Sequence, residues 1–467
     1  MDTIPNTLAH RYASETMRTL WSPQNRILTE RKLWIAILKA QKEAGLPISQ
    51  AAIDAYSQAA ATINLDSIQE RERTTHHDVK ARIDEFCALA GHEEIHKGLT
   101  SRDLTEFTEQ HLCHQSLNLL KKKGAALLTA FAHQAERHQD DLLVGRTHNI
   151  PAQLTTYGRR LACFGEETLL GLENMEDTLQ RTRLRGIKGA IGTCTDLYAL
   201  CNNDLTKAEA IEAFVLKQFG YTAMLHCPSQ IYPRSLDCSL VSALVQLSAG
   251  ASSFAQTFRL MAGLGLVREP FPEGQTGSSA MPHKQNPRLC ERIHGLFVIL
   301  RGFLTMTSEL AGEQWNEGDV SCSVVRRVAL PDALFATDGL LDTTLYVLKQ
   351  GHFNTERALQ EVETTLPLLL SGQLVVAATQ QGVGRETAHH HLKMHYIEAQ
   401  KSGISPLKAI TENPELRLSQ TTIEAIIQHA ETGLAPARAQ IKKFIKTSKK
   451  WTQRLPDAAH YQPEIPL

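Results

Sequence analysis

Residues 104–138 read LTEFTEQHLCHQSLNLLKKKGAALLTAFAHQAERH. Within them Cys113, Leu117, Leu120, Gly124, Leu127 and Phe131 recur at spacings of 4, 3, 4, 3 and 4. That spacing lays a stripe of apolar or small side chains along one side of a helix, a seam that only another packed helix can satisfy. Just ahead, Thr100 and Asp103 fit the S/T-x-x-D/E pattern of a helix start. The TSRD segment at 100–103 is therefore expected at a helix N-terminus, where anions are readily bound.

Two further long helical segments, about 235–267 and 288–313, flank FPEGQTGSSAMPHKQNP at 271–287, whose glycines and prolines forbid a continuous helix. Regular alternation of β-branched residues is scarce, and no βαβ pattern or internal repeat is apparent, so the expected fold class is all-α. From near Phe353 the pattern shortens into units such as TERALQEV, SPLKAITENP and SQTTIEAIIQHA. A chain of 467 residues exceeds the roughly 250–300 over which a single core grows. The expected division is an N-terminal helical domain at 1–103, a central helical bundle carrying the glycine-rich loop at 104–360, and a C-terminal helical domain at 361–467.

Lys and Arg total 49 against 50 Asp and Glu, so no net field points to nucleic acid or an anionic membrane, and a small-molecule ligand fits better. Nine cysteines, an odd number without a C-x-x-C pair, suggest free thiols in a reducing cytosol. The N-terminal stretch MDTIPNTLAHRYASE has no signal-peptide character, and the apolar segments are expected to break short of the roughly 18 residues that span a membrane. These readings predict a cytoplasmic protein. The lysine-rich KKFIKTSKK near the end reads as a solvated helix end.

Four polar clusters stand out: THHD at 75–78, TSRD at 100–103, GRTH at 145–148, and the glycine-rich loop. Long helices can bring such distant segments to one place. His148 precedes Asn149, Ile150 and Pro151, a turn sequence, and is a candidate acid because histidine titrates near neutral pH. His77 adjoins Asp78, a carboxylate that could orient it. Lys284 shares its loop with Ser278, Ser279 and Asn286, a density of donors suited to a carboxylate-derived dianion. Serine is a poor base unless its loop stabilises the alkoxide, and chemistry alone would not choose it. His391 and His395 have the i, i+4 spacing of two metal ligands, but without an acidic ligand or an HExxH glutamate the exposed-helix reading is favoured. Dinucleotide, P-loop and Gly-x-Ser-x-Gly fingerprints are absent, and no cofactor or metal is indicated.

The string GSSAMPHKQNP, 277–287, resembles the signature of the fumarase, aspartase and argininosuccinate lyase superfamily, and TSRD and GRTHNIPAQLTTYG resemble its other two shared regions in the same order. Within it, Arg11-Tyr12, HHDV at 76–79, GAIGT at 189–193, QIYPR at 230–234 and QWNEGDVSCSVVRRVALPDA at 314–333 resemble the adenylosuccinate lyase branch. The resemblance implies three helical domains, a homotetramer with active sites shared between subunits, and two β-eliminations of fumarate in purine synthesis without a cofactor. It further implies that Ser278 is the base and His148 the acid. Lys284 and Asn286 would hold the aci-carboxylate, Thr100 and Ser101 the succinyl carboxylates, and Arg11, Tyr12, Ser323 and Arg327 the phosphate. His77 would support the leaving end of the substrate and Gln230 would touch it, with His76, Asp78, Thr147, Ser279 and Arg292 counted among the binding residues.

One position departs from the pattern: many members of that branch have arginine after the glutamate of the last block, whereas here Glu317 is followed by Gly318. A phosphate-binding arginine is either missing or supplied from elsewhere. The competing readings are another superfamily enzyme, such as argininosuccinate lyase or a carboxymuconate cycloisomerase, and a catalytically silent scaffold of the kind found among lens crystallins. Arg11, Tyr12 and Arg327 argue against the first, and Ser278, His148 and Lys284 against the second.

Overall fold

The computed structural model describes residues 4–465. Seven long helices organise it: α1 Pro23–Glu43, α2 Ser101–Arg137, α3 Tyr157–Arg181, α4 Ser235–Gly263, α5 Arg288–Leu310, α6 Ser321–Gln350 and α7 Ala435–Arg454. At 1.5 Å per residue α2 alone is about 55 Å long, so one helix carries the chain from one end of the molecule towards the other. Helices α2 to α6 pack side by side as a bundle. The predicted seam is its axis: Leu117, Leu120, Leu127 and Phe131 are at most 1 % exposed, inside a core that also takes Leu172 from α3, Leu247 from α4 and Leu341 from α6. The α3–α4 contact is close because of Gly171, where a Cβ would stand 2.5 Å from the Gln246 carbonyl oxygen and 2.6 Å from the Leu247 Cα.

The N-terminal end of α2 starts where the sequence places it. Thr100 is the N-cap, and the Asp103 carboxylate accepts the Thr100 backbone N–H at 2.8 Å. A second core forms beside this end from Leu33, Trp34 and Leu38 of α1, Phe86 and Phe107, and from Leu184, Ile211 and Val215, which return to it from far along the chain. A third core gathers Leu370, Leu374, Leu392, Ile410 and Ile423 from the shorter helices after residue 353. Helix α7 leaves that group and lays Phe444 and Trp451 into the central core, while its lysines at 442, 443, 446, 449 and 450 stay on the exposed side.

The fold is all-α, with two small antiparallel additions. Val267–Arg268 pairs with His352–Phe353, and Leu142–Thr147 (β1) pairs with Ile150–Thr156 (β2). Sequence reading anticipated the turn but not these strands. His148 and Asn149 form the two-residue turn with φ of 51° and 64°, the doubly positive geometry whose twist suits a hairpin.

The expectation that every apolar stretch breaks short of membrane length is not met. By length and composition α4, α5 and the segment Thr355–Gln380 are each sufficient. In α4 the apolarity is that of a core, since it packs against α3, α5 and α6. In α5 it leaves Val298 and Ile299 exposed.

Candidate active site

Three helix N-termini converge on a cleft of about 370 Å³. His77 and Asp78 come from the start of the helix Asp78–Ala90, Ser101 and Arg102 from the start of α2, and Ser323 and Arg327 from the first turns of α6. Each N-terminus turns the positive end of its dipole to the cleft, a setting that favours negative charge. His77 is the N-cap of its helix. Its Nδ1 accepts the Lys80 backbone N–H at 3.3 Å and lies 3.6 Å from the Asp78 carboxylate, so the amide rather than Asp78 orients the ring. His76, left-handed at φ 53°, ends the preceding helix and borders an adjoining hollow.

Arginines and acids alternate around the cleft. Arg26 pairs with Glu109 at 3.0 Å, and Arg82 pairs with both Glu30 and Asp78. Arg102 reaches across to α6, donating to the Ser323 hydroxyl at 2.8 Å and to the Asp319 carbonyl at 3.5 Å. Arg327 is exposed and has no hydrogen bond or ion pair among the described residues.

Beneath the cleft lies a buried ionic network. Arg326 donates to Asp237 and Glu109, each at 2.7 Å, and Arg234 to Glu106 at 2.8 Å. Tyr232 donates to Asp237 at 2.6 Å. Burial alone would raise the Glu109 carboxyl, but Arg326, Arg26 and Arg234 overcome it and hold the group below the usual range. Asp103 accepts Arg185 at 2.5 Å and the backbone N–H groups of Lys188 and Gly189 at 2.9 and 3.0 Å, fastening the GAIGT segment to α2. The network also fixes QIYPR, with the Gln230 backbone N–H bonded to the Glu317 carbonyl at 2.9 Å.

The remaining expected residues stand elsewhere. His148 and Thr147 are exposed at the tip of the β1–β2 hairpin, whose Arg146 pairs with Glu361. Ser278, Ser279, Lys284 and Asn286 lie on the exposed loop between α4 and α5. That loop is closed at its base: the Asn286 side chain and Arg288 donate to the Gly277 carbonyl at 3.3 and 3.1 Å. A Cβ on Gly277 would stand 2.3 Å from the Lys284 carbonyl oxygen. At its centre the Ser278 hydroxyl oxygen accepts the backbone N–H groups of Met281 at 3.1 Å and Ala280 at 3.4 Å. Tyr12 and Arg292 form a further group with Arg11, the Arg292 guanidinium lying 5.5 Å from the Tyr12 ring centroid. Burial and the nearby Arg11 charge lower the Arg292 pKa. Within one chain the cleft lining thus includes His77, Asp78, Ser101, Ser323 and Arg327, but not His148, Ser278 or Lys284.

Sequence reasoning missed Arg26, Arg82, Arg102 and Glu109 in the cleft. Arg102 was within reach, inside the quoted TSRD. Arg326 and Arg327 are adjacent in sequence, yet one is buried in the network and the other faces the cleft, which no local signal distinguishes. The His391 and His395 rings both lie against Asn413, at 3.4 and 2.9 Å.

A family model described as lyase matches residues 13–302. Adenylosuccinate lyases of Schistosoma mansoni and Saccharomyces cerevisiae are each 31 % identical over 400 residues, covering 84 % of this chain and 83 % of each relative. That of Methanothermobacter thermautotrophicus is 29 % identical over 94 % of this chain and 98 % of its own length. The chain belongs to the adenylosuccinate lyase family. Its fold is also that of the 3-carboxy-cis,cis-muconate lactonizing enzyme of Pseudomonas putida, with a TM-score of 0.84 at 21 % identity over 96 % of this chain and 99 % of that one. A fumarate lyase of Mesorhizobium has a TM-score of 0.81 at 19 % identity over 95 % and 100 %.

Family membership sharpens the question of residue 318. Gly318 has φ 139°, and a Cβ there would lie 3.3 Å from Ile231 Cγ1. This backbone suits glycine, so an arginine at this position would have to overcome strain.

Proposed function

We propose that the chain cleaves adenylosuccinate to AMP and fumarate, and the succinylo-aminoimidazole carboxamide ribotide to its carboxamide and fumarate. The observation that carries this reading is the convergence of three helix N-termini with Arg327 on one cleft, a setting suited to the phosphate and carboxylates of such a substrate. Thr100 and Ser101 serve the succinyl carboxylates, Ser323 and Arg327 the phosphate together with Arg11 and Tyr12, and Arg292 is a further binding residue. His76, His77, Asp78, Thr147, Gln230 and Ser279 complete the contacts.

In the reaction Ser278 removes a proton from the succinyl Cβ. The electron pair left behind is delocalised into the neighbouring carboxylate, which Lys284 and Asn286 hold as a dianion. The pair then forms the C=C bond as the Cα–N bond breaks, and the leaving nitrogen takes a proton from His148. Ser278 returns its proton and His148 regains one from solvent, so the steps balance without electron transfer. The two backbone N–H groups on the Ser278 oxygen support its role, because they stabilise the alkoxide a serine base requires.

The active form in this reading is a homotetramer whose subunits bring the hairpin tip and the loop to a neighbour's cleft. The separation of these groups within one chain supports it, as do the exposed Val298 and Ile299 of α5, Val324 and Val328 of α6, and Val320 just before α6. We place the reaction in the cytoplasm, where the nine unpaired cysteines stay reduced.

The test is incubation of the purified protein with adenylosuccinate, argininosuccinate and 3-carboxymuconate in separate reactions. Equal amounts of AMP and fumarate from the first alone are expected. Turnover of either other substrate, with none of adenylosuccinate, would overturn the reading.

A further inference from the structure

Of the four arginines lining the cleft, two are closed off by acids: Arg26 by Glu109, and Arg82 by Glu30 and Asp78. Arg102 is differently placed. Its one carboxylate neighbour is Glu106 Oε1 at 3.4 Å, an oxygen that Arg234 already holds at 2.8 Å and Arg326 approaches to 3.6 Å. Its other nitrogen crosses the cleft mouth to α6, where the partners are neutral: the Ser323 hydroxyl and the Asp319 carbonyl. The side chain is 14 % exposed, so its charge sits where little water screens it.

Position 318, on the facing wall, does not supply a cation. Asp319 follows Gly318, whose positive φ and closeness to Ile231 disfavour a side chain. Arg102 fills that neighbourhood from the opposite side, beside the N–H groups that begin α2 and one residue from Ser101. Arg327, without a partner among the described residues, stands on the same cleft.

We propose that Arg102 is a substrate-binding residue that grips the phosphate together with Arg327 and Ser323, exchanging its contact with the Asp319 carbonyl for a phosphate oxygen. It thereby provides the cation that position 318 does not. The inference rests on the reading of the chain as an enzyme acting on adenylosuccinate, and it adds a residue that sets affinity for the phosphorylated end.

The experiment compares the wild-type enzyme with Arg102→Gln and Arg102→Lys, using adenylosuccinate as substrate and AMP and adenosine as inhibitors. Arg102→Gln is expected to raise KM about tenfold or more, the effect of losing a charge-assisted hydrogen bond, with kcat little changed. The inhibition constant of AMP rises by a similar factor while that of adenosine stays constant, since only the phosphate loses a partner. A residue that merely braces α2 against α6 would shift both inhibitors alike and lower the thermal midpoint. Arg102→Lys keeps the charge but not the two-pronged fork, and falls between the two. If Arg102→Gln does not fold, the Lys variant decides by the same AMP-to-adenosine comparison. Unchanged AMP affinity in a folded variant, or equal loss for AMP and adenosine, overturns the proposal and leaves the parent reading intact. Absence of AMP and fumarate from the wild-type enzyme defeats the parent reading and this one with it.

Discussion

A serine hydroxyl is a weak acid in water, and the proposed use of Ser278 as a base depends on the two amide N–H groups that meet its oxygen. Replacing it by alanine should lower kcat by about 10²- to 10⁴-fold, the usual contribution of a general base, with helix content and assembly unchanged by circular dichroism and light scattering. Full activity in that variant would remove Ser278 from the role. Arg327→Ala should act on KM for adenylosuccinate far more than on kcat, because a phosphate contact is made equally in ground and transition states. Steady-state kinetics separates the two, and a pure kcat loss would contradict the assignment. Gly318→Arg should not strengthen substrate binding and should destabilise the fold by about 1 kcal/mol or more, since φ is positive there. Chemical denaturation reads the stability, and a gain in both affinity and stability would refute the argument from strain. At this scale the sequence named the motif residues but not their neighbours. Arg102 lay in plain view in TSRD, yet its direction depends on α6, a helix more than two hundred residues away.

Among the elements, those governed by local rules were legible. The seam from Cys113 to Phe131 fixed α2 because its period belongs to packed helices, and Thr100 with Asp103 marked its start to within a residue. The break between α4 and α5 followed from glycines and prolines. The β1–β2 hairpin escaped because its turn is His148-Asn149, without the glycine that usually signals such a geometry, and because Leu142–Thr156 shows little alternation. The fit between α3 and α4 was also hidden, since a helical glycine looks merely unfavourable until a neighbour's backbone is found against it. Gly171→Ala should cost about 1–3 kcal/mol through overpacking against Gln246 and Leu247. A denaturation midpoint equal to wild type would show that α3 and α4 can part without penalty.

For the molecule as a whole, burial sets a pH dependence. His96, whose Nδ1 accepts the Trp34 indole N–H at 3.1 Å, has its pKa lowered from 6.5 to about 4 by burial, against the opposing pull of Asp103. His111, 2.9 Å from the Tyr221 hydroxyl, is lowered to about 4 mainly by burial as well. Between these values the unfolded chain binds protons that the folded chain refuses, so their contribution to stability is complete above about pH 6.5 and is lost as the pH falls towards 4. The thermal midpoint should decline over that window, and less steeply in a His96→Gln, His111→Gln variant; identical slopes would contradict the assignment.

The convergence of THHD, TSRD and the last motif on one cleft is a property of the packed bundle, invisible in any local stretch. The hairpin tip and the Ser278 loop remain outside it in a single chain. The central claim is that assembly unites them, with the hairpin tip and the Ser278 loop at each site supplied by different subunits, and subunit mixing tests it most directly. Ser278→Ala and His148→Ala proteins, each inactive alone, are refolded together and assayed for fumarate release from adenylosuccinate. Recovery of a substantial fraction of wild-type activity is predicted, because some sites then draw an intact Ser278 from one subunit and an intact His148 from another. Mixed tetramers as inactive as either parent would contradict the claim and confine both residues to one chain.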